Sequence, residues 1–247
     1  MPMIPLYRDP LPYLSTNQMR EVDRLMVDLY HIELIQMMEH AGRNLASLAR
    51  ERFLDGDPHN KHVVVLAGTG GNGGGALVCA RWVHNAGANV QVFLTAAHEN
   101  LTSVPAHQLD ILLQMDVSVA QYNRIGLAIE PDLIVDGLIG YSLKGAPRGT
   151  AAKLIGWANA NNSPILSLDV PSGLDTATGK VFDPAIRAAA TMTLALPKEG
   201  LRAEAAKFQT GELYLANISV PSELYSAPSL GLKVENIFRQ SDVVQLW

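Results

Sequence analysis

From residue 63 onward the chain alternates short apolar runs with longer stretches in which apolar residues recur every three or four positions. The runs cover 63–67, 90–95, 117–121, 133–135, 165–170, 191–196 and 213–218. All are rich in β-branched residues and read as strands buried on both faces. Stretches 74–85, 103–115 and 152–160 carry helical spacing between them. Ahead of this region, Thr16-Asn17 precedes Met19, Val22, Leu25, Met26 and Leu29, one face of a helix with a plausible cap, and 32–53 repeats the helical signal. Alternation of this kind predicts a three-layer α/β/α, Rossmann-like domain: a mainly parallel sheet covered on both sides, with two helices added at the N-terminus. No repeat or linker interrupts it, so residues 1–247 read as a single domain.

Composition narrows the function classes. Apolar residues at 48% and charged residues at 17% describe a folded globular chain rather than a disordered one. A net charge of −5 supplies no basic footprint for nucleic acid. No apolar run is long enough to span a bilayer, which argues against a membrane role. The opening MPMIPLYRDPLPYL lacks the basic-then-apolar order of a signal peptide. One cysteine, Cys79, excludes an internal disulfide and suits a reducing compartment, so the expected location is cytoplasmic. Cys79 itself reads as a small core residue.

In parallel sheets, ligands bind beyond the carboxyl ends of the strands, and three strand ends here carry unusual chemistry. After the first run comes GTGGNGGGAL, in which Gly68-x-Gly70-x-x-Gly73 satisfies the dinucleotide fingerprint literally. Such a loop lets backbone approach a ligand and offers N–H groups to an anion. The following strand, VQVFLTAA, ends without the acid that a dehydrogenase uses for ribose; Glu99 comes late. The second junction, DLIVDGLIGYSLKGAPRG, places Asp136 at a strand end. Gly140 and Gly145 then bracket Tyr141, Ser142, Leu143 and Lys144. Lys144 reads as a phosphate or anion partner or, equally, as a solvated surface cation. Its spacing from Tyr141 is one residue short of the Tyr-x-x-x-Lys pair of short-chain dehydrogenases. The third junction, SLDVPSGLDTATG, gathers Asp169, Ser172, Asp175 and Thr176, oxygen donors suited to a hard cation, or to a self-stabilised turn. Ser172 lacks the flanking glycines of a nucleophile elbow and has no evident histidine partner.

Taken in order, these motifs resemble the NAD(P)H-hydrate epimerase family, the YjeF N-terminal-type domain. The resemblance begins in STNQMREVDRLMVDLYHIELIQMMEHAGRNLA and runs through the three junctions to LALPKEG and GELYLANISVP. It implies interconversion of the R and S epimers of hydrated NADH and NADPH, which carry a hydroxyl at C6 of the nicotinamide ring. A separate NAD(P)H-hydrate dehydratase would consume the S form, and the family also suggests a homodimer. A potassium ion is implied, held by Asn72, Asp136 and Ser172. The implied substrate loops are Gly71, Asn72, Gly73, Gly74 and Gly75, and then Gly140, Tyr141, Ser142, Leu143, Lys144, Gly145 and Ala146, with Asp169 as a further contact. For proton transfer, Asp136 or Asp169 is the expected acid/base, with Lys144 assisting electrostatically.

The chain also departs from the family's pattern. The usual loop, gly-pro-gly-asn-asn-gly-gly-asp-gly-leu, has lost its first Asn to Gly71 and its Asp to Gly75, while Asn72 is kept. His40 replaces an Asn in the segment Met38-Glu39-His40-Ala41-Gly42. Two other readings therefore stand beside the epimerase: a non-catalytic nucleotide-binding or scaffold protein of the same fold, and an NAD(P)-dependent oxidoreductase.

Overall fold

The computed structural model describes residues 4–121 and 130–247. Its strands are β1 (His62–Ala67), β2 (Asn89–Leu94), β3 (Ser118–Gln121), β4 (Leu133–Gly137), β5 (Ile165–Leu168), β6 (Ala190–Leu194), β7 (Glu212–Ala216) and β8 (Val243–Gln245). The helices are α1 (Thr16–Asp28), α2 (Leu34–Phe53), α3 (Gly71–Asn85), α4 (Ser103–Gln114), α5 (Gly149–Ala160), α6 (Glu204–Thr210) and α7 (Ser222–Tyr225). The strands form one eight-stranded sheet in the order β3-β2-β1-β4-β5-β6-β7-β8. Every pairing is parallel except β7 with β8.

Strand periodicity divides the core. On one face Val63 and Val65 of β1 join Val92 of β2 in a cluster with Leu45 and Leu48 of α2, Leu77 of α3 and Leu109 of α4. On the other, Val64, Leu66, Phe93 and Ile134 pack against Leu154, Ile155 and Trp157 of α5. Both faces of these strands are dry, as their unbroken apolar runs predict. Helix α1 belongs to another cluster, in which Met19, Val22, Leu25 and Met26 meet Leu215, Ile218 and Leu224. Its N-terminus is a capping box: the Gln18 N–H donates to Ser15 Oγ (3.3 Å) and the Ser15 N–H donates to Gln18 Oε1 (3.0 Å). The cap is thus Ser15, one residue before the position expected from the sequence.

Several boundaries move for identifiable reasons. β5 and β6 end at Leu168 and Leu194, two residues short of the apolar runs, because Asp169 (φ +67°) and Ala195 (φ +60°) turn left-handed. Helix α3 begins at Gly71, three residues early, so most of the glycine loop is the first turn of a helix. Two short helices, α6 and α7, and the antiparallel edge strand β8 complete the order. Helix α2 packs closely on α3 because position 42 is glycine. A Cβ there would lie 2.3 Å from Val78 Cβ and 2.6 Å from the Gly75 carbonyl oxygen.

The order in which strands are added to the sheet reverses between β1 and β4. The connections from β1 lead outward through β2 to β3, and β4 then returns to the opposite side of β1. That is a topological switch point, where crevices open beyond the carboxyl ends of the strands. The Gly68 N–H donates to the Gly137 carbonyl at 3.1 Å, so the two loops leaving this point start side by side.

Candidate active site

A cavity of about 720 Å³ lies at the switch point, within the size range of small-molecule and cofactor sites. Thr69, Gly70, Gly71, Asn72 and Gly75 supply one wall, and Leu138 to Ser142 a second. Leu168 and Asp169 close a third side. Met19, Asp23 and Val27 of α1 and Leu34, Met37, Met38 and Ala41 of α2 cover it. The loops after β1, β4 and β5 thus meet, as their chemistry suggested.

Asp136 sits behind this wall rather than on it, with no exposed surface. Its Oδ1 accepts from Ser172 Oγ (2.6 Å) and the Leu138 N–H (3.2 Å). Its Oδ2 accepts from Ser167 Oγ (2.8 Å) and the Ser172 N–H (2.9 Å). Burial raises the carboxyl pKa, and those donors oppose the shift. The Ile139 N–H donates to Ser172 Oγ at 2.9 Å, which ties the β4 loop to the turn after β5.

Asn72 packs against the end of β4 and the loop that follows it. A Cβ on Gly140 would come within 3.2 Å of Asn72 Cγ, so glycine there lets the two loops close. One atom of the Asn72 amide, Nδ2, is buried without a hydrogen-bond partner. The amide's oxygen and nitrogen exchange places on a half-turn of the side chain, which would aim the oxygen at the same spot. An uncompensated buried amide is costly. The Asn72 amide, the Asp136 carboxylate and the Ser172 hydroxyl are oxygen-bearing groups of the kind a hard cation takes. No cluster of three His, Cys, Asp or Glu side chains that could hold a metal occurs among the described residues.

Asp169 is on the wall, only 4% exposed, and held at positive φ, a costly conformation that recurs at functional sites. Its partner is Lys198, which lies in LALPKEG and is not among the site residues expected from the sequence. Lys198 has no exposed surface. Its Nζ is ion-paired to Asp169 Oδ1 and also donates to the Leu194 carbonyl (2.9 Å) and Thr193 Oγ1 (3.1 Å). The only available signal is a lysine four residues beyond β6, a buried strand of apolar residues and threonines, a position more often solvated.

Other expected residues fall outside. Leu143, Lys144, Gly145 and Ala146 are not on the cavity wall, and Lys144 is exposed. His40 is on the exposed side of α2. Gly73 and Gly74 are buried in the first turn of α3; a Cβ on Gly73 would meet the Gly68 carbonyl oxygen at 2.0 Å. Glu99, the late acid after β2, lies in a short 3-10 turn, His98–Asn100.

Residues 34–200 match the family described as "YjeF-related protein N-terminus". A protein of Dehalogenimonas lykanthroporepellens named NAD(P)H-hydrate epimerase is 43% identical over 222 residues, 88% of this chain and 86% of that one. One of Rhodopirellula baltica with the same name is 33% identical over 87% of both chains. The bifunctional NAD(P)H-hydrate repair enzyme of Moorella thermoacetica is 36% identical over 86% of this chain, but this chain spans only 41% of that protein. The crystal structure of the yeast protein ynu0 superposes with a TM-score of 0.80 at 28% identity, covering 96% of this chain and all of that one.

Proposed function

This chain belongs to the YjeF-related N-terminal family, and from that premise we propose that it is an NAD(P)H-hydrate epimerase, interconverting the R and S forms of hydrated NADH and NADPH. The observation that carries this reading is the cavity at the β1/β4 switch point, with Asp169 on its wall ion-paired to the buried Lys198 behind it. Nicotinamide rings are flat and largely apolar, which suits the cover of Met19, Met37 and Met38. The thin glycine wall at Gly70, Gly71 and Gly75 suits close approach of a ligand.

Epimerisation at a carbon bearing a hydroxyl beside a ring nitrogen needs a proton donor for the departing hydroxyl and an acceptor for the returning water. Asp169, on the wall and paired to an ammonium, is our candidate for the acceptor. Asp136 is assigned instead to structure and to the cation, because it is wholly buried behind the cavity wall rather than on it. Asn72, Asp136 and Ser172 would hold a potassium ion, whose charge would fix the loops after β1, β4 and β5 together. Its support is the partnerless Asn72 Nδ2 and the contact of Ser172 with Asp136, which joins β4 to the turn after β5.

Relatives that join this activity to a second one support a separate dehydratase as the consumer of the product. We also take the chain as one domain, working in the cytoplasm as a homodimer. No helix among the described residues is long and apolar enough to cross a membrane.

Incubation with R-hydrated NADH, followed by chromatography of the S form, tests the function. Conversion above the protein-free rate is the expected result. Tight nucleotide binding without conversion would favour a scaffold instead.

A further inference from the structure

A second titratable pair faces the same cavity. Tyr141, on the loop after β4, and Asp23, on α1, both line it. The Tyr141 hydroxyl donates to Asp23 Oδ2 at 2.5 Å, a short hydrogen bond between residues 118 positions apart, and with Asp23 protonated the same contact lets Asp23 donate to the Tyr141 oxygen. Tyr141 is fixed at its other end too, because Thr176 Oγ1 donates to its backbone carbonyl at 3.3 Å. Thr176 Oγ1 in turn lies 3.4 Å from Thr16 Oγ1 at the start of α1. Helix α1 is docked independently: the Leu14 N–H donates to the Pro197 carbonyl (2.8 Å) and the Glu199 N–H donates to the Leu14 carbonyl (3.0 Å). Those bonds set α1 beside Lys198, so both acid–base pairs are held by one stretch of backbone. Residues 14–28 lie outside the 34–200 family match, so nothing in that match assigns Asp23 a role.

We propose that the Tyr141 hydroxyl is the proton donor to the departing hydroxyl of the hydrated nicotinamide, with Asp23 as the positioning residue that resupplies its proton. This rests on the epimerase reading above and adds the donor which that reading lacks. In the forward step the C6–O bond breaks with both electrons passing to oxygen. That oxygen takes the phenolic proton and leaves as water, while the Asp23 carboxylic acid passes its own proton to the Tyr141 oxygen. The ring nitrogen's lone pair forms the C6=N bond of an iminium. Water then adds to C6 on the other face, its electron pair making the new C–O bond as the C6=N pair returns to nitrogen, and Asp169 accepts its proton. The net result moves one proton from Asp23 to Asp169; the reverse turnover, or exchange with solvent, restores it.

The electrostatics agree with this division. Burial is the main influence raising the Asp23 pKa, with the Tyr141 hydrogen bond and the Lys198 charge opposing it and Asp169 adding to it. Burial also raises the Tyr141 pKa, helped by Asp23 and Asp169 and opposed by Arg20. Asp23 therefore holds its proton to higher pH than an exposed carboxyl, and Tyr141 remains a neutral donor.

Steady-state conversion of R-hydrated NADH by Tyr141→Phe, Asp23→Asn and Asp23→Glu tests the assignment. Calorimetric binding of NADH as an unreactive probe reports whether the pocket is intact. Tyr141→Phe and Asp23→Asn should each lower kcat about 10²-fold or more, the scale of lost general-acid catalysis, while KM and NADH affinity stay within about threefold. Asp23→Glu should recover part of the loss. Wild-type kcat in Tyr141→Phe, or a raised KM at unchanged kcat, would overturn the proposal. Should Asp23→Asn fail to fold, Tyr141→Phe decides alone. A wild-type protein that converts no hydrate would instead remove the epimerase reading itself, and this inference with it.

Discussion

Lys198 and Asp169 form a buried ion pair beneath the cavity, and each depends on the other to be tolerated there. The two residues are 29 positions apart and leave the ends of neighbouring strands, β5 and β6. Two further acceptors, Thr193 and Leu194, use the remaining ammonium protons. Breaking such a pair leaves an uncompensated charge in the interior, so Lys198→Met should lower the unfolding free energy by about 3–5 kcal/mol. The double variant Lys198→Met/Asp169→Asn should regain most of that loss. Urea titrations of the two proteins provide the comparison, and equal destabilisation in both would disprove the coupling.

The two departures from the family loop should respond differently to reversal. A Cβ at Gly71 meets nothing within 4 Å, whereas one at Gly75 lies 2.7 Å from Leu168 Cδ2. Gly71→Asn should therefore change stability by no more than about 0.5 kcal/mol, as a surface substitution does. Gly75→Asp should cost about 1–3 kcal/mol through overpacking. Adding Leu168→Ala to Gly75→Asp should relieve the clash while opening a cavity of its own. Melting temperatures of the four proteins would show the order, and an unperturbed Gly75→Asp would refute the steric account.

Cys79 should be chemically silent in the folded protein. It is wholly buried in the core between the sheet and α2, and burial pushes its thiol pKa up to about 12. Iodoacetamide should alkylate it only once denaturant is added, as mass spectrometry would reveal. Fast labelling of native protein would mean that α3 opens locally.

Acid should weaken the tie between α2 and β7. Both guanidinium donors of Arg52 reach Glu212 at 2.8 Å, and the Tyr214 hydroxyl donates to the same carboxylate at 2.7 Å. Arg52 holds the Glu212 pKa below the ordinary carboxylate value, against the opposing effect of burial. The folded state keeps this charge to lower pH than the unfolded chain does. The stabilisation is therefore complete above the unfolded Glu pKa, about 4.3, and is lost as pH falls through the lower folded value. Because Arg52 is half exposed, Glu212→Gln should cost no more than about 1 kcal/mol at pH 7. The variant and parent should converge in stability on acidification, measured by denaturation at several pH values.

Much of this molecule was legible in the linear pattern. Seven strands and the main helices follow from apolar runs and helical spacing, because burial on two faces leaves no polar alternation to confuse them. The loop chemistry after β1, β4 and β5 was also visible, because glycine and strand-end acids mark themselves locally. Strand ends at Asp169 and Ala195 were not visible, since nothing in the sequence records a left-handed turn at a non-glycine residue. Nor were α6, α7 and β8, short elements held by the packing around them.

What the residues determined alone was the layer order and the identity of the loops that reach the switch point. Which side chains face the cavity was decided only in three dimensions. Asp136 and Asp169 both end apolar runs, yet one is enclosed behind the wall by four donors while the other turns onto it. Lys198 and Asp23 entered the site from distant segments, and Lys144 swung out to solvent. The physical reason is one of range. Periodicity and turn chemistry act over a few residues, whereas the compensation of a buried charge requires a partner that only the assembled sheet brings near.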